Sequence, residues 1–74
     1  MRVLSYREAR RMALEHLAKL ARTLPETERY KPMYVIAGKV LSLADLIREV
    51  AMDTDIGKLY VYTWARERGI AIVG

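Results

Sequence analysis

No cysteine occurs anywhere in this chain of 74 residues, and histidine occurs once. Those two facts restrict its folding more than any other. A domain of this length buries only about 60% of the surface its unfolded chain exposes, so small domains often add a disulfide, a metal or a second subunit. Disulfides and the usual Cys/His zinc sets are excluded here. Stability then rests on packing the apolar residues, 53% of the chain, or on oligomerisation. Two separate cores do not fit in this length. Asn, Gln and Phe are also missing. Loss of thermolabile Asn, Gln and Cys in a charge-rich chain is a habit of heat-adapted proteins, and a hyperthermophile source is expected.

Met1 to Leu4 carries one Arg and a short apolar pair, which is not the apolar core of a secretory signal. No run approaches the 18 or so apolar residues of a membrane span. The expected location is the cytoplasm.

Helix signals dominate the pattern. Ser5-Tyr6-Arg7-Glu8 has capping-box spacing, in which the serine oxygen accepts a backbone N–H and the glutamate reaches back to the serine N–H. From there Tyr6, Ala9, Ala13, Leu17, Leu20 and Leu24 recur at three- and four-residue steps, with Arg7, Arg11, Glu15, Lys19 and Arg22 opposite. A helix over 5–24 follows, ended by Pro25. Residues 25–32 read as a polar connector with room for one helical turn, since Thr23 and Glu26 offer a second capping box. Residues 33–41 are β-branched and aromatic and predict a strand, bent or turned at Gly38. Ser42 and Asp45 cap a helix over 43–52 with a Leu43, Leu46, Ile47, Val50 stripe; Asp53-Thr54-Asp55 starts another over 55–68, closed by Gly69. Residues 70–73 predict a short strand. The expected fold is mainly α with a small β component, in the order helix, strand, helix, helix, strand.

Closely spaced helices meet at an angle. Residues 39–73 resemble the winged-helix branch of the helix-turn-helix family, with "LSLADLIREV" matching the first helix of the pair and "DIGKLYVYTWARERGIAIV" the recognition helix running into a wing strand. The resemblance implies a DNA-binding domain. It departs from the family in lacking a glycine at the turn, Met52 to Thr54, and in having no second wing strand before Gly74.

Enzyme chemistry finds little support. There is no cysteine nucleophile and no Gly-rich phosphate loop, and His16 stands without an acidic or cysteine cluster. Ser5 and Ser42 occupy cap positions. Glu49, Asp53 and Asp55 are the one acidic group with magnesium-like chemistry, but capping accounts for two of them. No enzyme activity, cofactor or metal is expected.

Binding is the better direction. On a helix Lys58, Tyr62 and Arg66 form one stripe, a base-aromatic-base pattern suited to phosphates and a stacking tyrosine. Residues 1–32 hold eight basic and four acidic side chains, and residues 33–74 five of each, so the whole +4 lies in the N-terminal half. Nucleic-acid binding would therefore need Arg7, Arg10 and Arg11 as well, with Arg22, Arg29 and Lys31 nearby in sequence. Arg11, Glu15 and Lys19 also form a solubilising ladder, which leaves Arg7 and Arg10 as the better phosphate candidates. Two functions compete. One is a dimeric, backbone-dominated binder of nucleic acid, duplex DNA before RNA, in transcription or genome organisation. The other is an accessory subunit of a larger complex, anchored by Tyr34, Tyr60 and Trp64.

Overall fold

The computed structural model of the protein describes residues 2–73. Its elements are β1 (Arg2–Ser5), α1 (Tyr6–Thr23), a 3₁₀ helix (Glu26–Tyr30), β2 (Pro32–Ile36), β3 (Lys39–Ser42), α2 (Leu43–Ala51), α3 (Asp55–Glu67) and β4 (Ile70–Val73). The protein is thus mainly helical with a small sheet component.

Each of the three α-helices starts after a residue whose side chain caps it. Ser5 Oγ accepts from the Glu8 amide at 3.2 Å, and Thr54 Oγ1 accepts from the Gly57 amide at 3.1 Å. At α2 the box is reciprocal: Ser42 Oγ accepts from the Asp45 amide and Asp45 Oδ2 accepts from the Ser42 amide, both at 3.1 Å. These bonds, the Arg48 guanidinium and Lys39 hold the Asp45 carboxyl below its ordinary range, with the Ser42 bonds the largest cause. The second box, Thr23 with Glu26, does not form. Thr23 donates instead to the Leu20 carbonyl at 2.8 Å, and Pro25 precedes the 3₁₀ helix without a side-chain cap. Gly69 closes α3 at φ 70°, as its position in the sequence predicts.

Residues 33–41 are not one strand. β2 and β3 form an antiparallel hairpin with Ile36 opposite Lys39, so the loop is the two residues Ala37 and Gly38, both at positive φ (52° and 76°). Such a pair matches the right-handed twist of the strands it joins. β1, which the sequence reading leaves out, pairs in parallel with β4 in the register Arg2 to Ile70 through Ser5 to Val73.

The core joins Ala9, Ala13 and Leu17 of α1 to Leu43, Leu46 and Val50 of α2 and to Val61, Trp64 and Ala65 of α3, with Leu41 and Ile70 at its edges. Small residues on α1 let the other two helices approach closely. Each fully buried Leu or Val contributes about 1.5–3 kcal/mol. No described helix is long and apolar enough to cross a membrane.

Candidate nucleic-acid interface

The helix pair α2 and α3 is joined by Met52, Asp53 and Thr54. The missing turn glycine is replaced by Asp53, which takes the left-handed conformation at φ 55°; Asp is among the residues that tolerate it. Tyr6, the first residue of α1, donates its hydroxyl to Asp53 Oδ1 and so braces the turn. Burial, then that hydrogen bond, raise the Tyr6 phenol well above its ordinary range, so it stays protonated. Thr54 adds a bond from its hydroxyl to the Glu49 carboxylate at 2.9 Å. The two helices also nearly touch. An added Cβ at Gly57 would collide with the Glu49 carbonyl oxygen and lie 2.9 Å from Val50 Cα.

With Gly57, Val61, Trp64 and Ala65 turned inward, α3 presents Lys58, Leu59, Tyr62, Thr63 and Arg66 to solvent. Lys58, Tyr62 and Arg66 form the expected row, spanning about 12 Å along the axis. Neither Lys58 nor Arg66 makes an ion pair with a described residue. Tyr62 is 49% exposed and its inner ring face stacks on Tyr6 at 5.5 Å between centroids. The outer face of that ring stays open to a partner. Asp55, in the first turn, is exposed and complements the helix dipole, but it weakens the anion-attracting end of the helix.

The basic residues of α1 divide. Arg7 is exposed with no ion pair among the described residues. Arg11 is tied to Glu15 at 2.9 Å. Arg10, read in the sequence as a phosphate candidate, is instead a cap: its guanidinium donates to the Val50 and Ala51 carbonyls at 3.2 and 3.1 Å, satisfying the C-terminus of α2. Likewise Arg29 donates to the Ala21 carbonyl at 2.8 Å, and Lys31 pairs with Glu28 at 2.9 Å. Hydrogen bonds to carbonyls leave no trace in a count of acidic neighbours, which is why sequence spacing does not reveal these contacts of Arg10 and Arg29.

The aromatic anchors expected of a protein interface have internal partners. Trp64 is only 6% exposed and belongs to the core. Arg68 lies over its ring at 4.5 Å, and the exposed His16 leans on it at 6.2 Å. Tyr34 and Tyr60 meet edge to face at 6.4 Å, and burial raises both phenols, Tyr60 to about 12. On the helical wheel Trp64 lies on the side opposite Tyr62, the middle of the row, and the hairpin and α1 cover that side. Among the described residues no three His, Cys, Asp or Glu side chains gather in a group that could hold a metal ion.

No family model, curated protein or solved structure gives a significant match to the chain.

Proposed function

We propose that the protein binds duplex DNA through the outer face of α3, as a helix-turn-helix module acting in transcription or genome organisation. The observation that carries this reading is the exposed Lys58, Tyr62, Arg66 row on the second helix of a tightly joined pair, with neither cation ion-paired to a described residue. Its span of about 12 Å is close to the width of the B-form major groove. The major groove of A-form RNA is too narrow for side chains to read, which favours DNA. As in the winged-helix pattern, a strand (β3) leads into the pair and a strand (β4) follows it. Here β4 pairs with β1, so the reading assigns no contact to a wing. Without Asn or Gln to read adenine, recognition relies on phosphate contacts with modest sequence preference.

Three cations, Arg7, Lys58 and Arg66, neutralising three phosphates give a slope of about −2.7 in log K against log salt. Fluorescence anisotropy with a generic duplex is then expected to lose affinity on the order of 40-fold between 50 and 200 mM salt. Lys58→Ala with Arg66→Ala lowers the slope by about 2, and Arg7→Ala by about 1. Absence of binding to duplex DNA at low salt overturns the proposal, and binding to structured RNA alone moves the site off α3.

A further inference from the structure

Half of the hairpin has nothing over it. Tyr34, Ile36 and Leu41 face the helices, while the alternate residues face outward: Val35 is 73% exposed, its cross-strand partner Val40 60% and Met33 48%. The patch continues onto α3, because Val35 and Ala37 line a hollow together with Leu59, 50% exposed, and Thr63. Two strands alone are marginal in water, and a flat apolar hairpin face without a gatekeeping charge invites association.

We propose that this patch is the interface of a twofold homodimer, with Met33, Val35, Val40 and Leu59 of one copy against the same residues of the other. Two observations favour a second copy as the occupant. First, in a twofold interface residues near the axis meet their own image, so a charge there would face a like charge. None of the six side chains is charged, and the nearby Lys39 acts on Asp45 at the start of α2. Second, the area fits. At these exposures the patch offers on the order of 500 Å² per copy, the upper range for a monomer's largest apolar patch. Two copies bury about 1,000 Å² together, the size a biological interface should clear. Hairpins stacked face to face lie about 10 Å apart. The dimer stands independently of nucleic-acid binding; where both hold, each α3 row flanks the twofold axis.

Sedimentation equilibrium of the full chain, from micromolar to hundreds of micromolar, tests the proposal. The expected result is a reversible transition from 8.5 kDa to twice that mass. Val35→Lys with Val40→Glu keeps a favourable cross-strand pair in the hairpin while placing charge in the interface, and is expected to raise the dimer Kd at least tenfold with unchanged circular dichroism. Should that hairpin variant misfold, Leu59→Glu on the exposed face of α3 gives the same readout. A chain that stays monomeric at the highest concentration, grows beyond a dimer, or dimerises equally well in the folded variants overturns it. Lys58→Ala with Arg66→Ala leaves the dimer intact. A monomer that still binds duplexes refutes the dimer alone, and a dimer that ignores them refutes only the proposed function.

Discussion

Gly57 decides how closely the helix pair can approach. A methyl group there would sit 2.6 Å from the Glu49 carbonyl carbon and 2.9 Å from Val50 Cα, both backbone atoms that cannot turn aside. Gly57→Ala is expected to cost about 3 kcal/mol by forcing α2 and α3 apart; a denaturant midpoint equal to that of the parent chain would show that the helices are not so close. Nothing in the sequence distinguishes this glycine from a merely tolerated one, since its constraint comes from a neighbouring backbone. Ala37 presents the reverse situation. It holds φ 52° beside Gly38, where Asn-Gly is the favoured pair. Ala37→Asn is expected to stabilise the chain by about 1 kcal/mol, read as a higher midpoint at unchanged slope. The chain contains no Asn and carries the strained alanine in its place. The missing Asn also explains why the sequence pattern leaves open whether residues 33–41 bend or turn at Gly38.

At the scale of elements, helices were legible because each carries its instruction locally. Ser5, Ser42 and Thr54 cap within three residues of themselves, and α1 and α2 show their buried faces in the spacing of Ala, Leu and Val. Helix α3 was legible in extent but only half so in orientation: its exposed row was placed correctly, whereas Trp64 and Tyr60, apolar-bodied with polar tips, fit either side until the hairpin covers one. That cover sets an alkaline limit to stability. Burial raises the Tyr60 phenol from near 10 to about 12 and raises Tyr34 as well. The folded state therefore holds protons that the unfolded chain releases, so the stabilisation is complete below pH 10 and is lost as pH rises towards 12. Melting temperatures are expected to fall across that window, with late phenolate absorbance in the native protein, and Tyr60→Phe is expected to flatten the decline. A profile identical in Tyr60→Phe would show that the hairpin does not shield that ring.

The whole molecule is closed by its least local contact. β1 and β4 lie at opposite ends of the sequence yet pair residue for residue, and neither could be assigned a partner from spacing, because parallel pairing needs a long crossover and here the entire helical body is that crossover. Through the same arrangement β1 delivers Tyr6 to the Asp53 turn and to Tyr62, which brings the basic N-terminal half against a helix pair that is itself slightly acidic. Ile70, 8% exposed, joins this closure to the core. Ile70→Ala is expected to cost about 2–4 kcal/mol, a large share of the stability of so short a chain. Its effect on hydrogen exchange is more telling than its size. If β1 and β4 open as one unit, amides of Val3, Leu4 and Ser5 lose protection together with those of Ala71 and Ile72, while the hydrogen-bonded interior of α1 keeps more. Loss confined to β4 would mean that β1 is held by its connection to α1 and that the parallel pair adds nothing to holding the helices together.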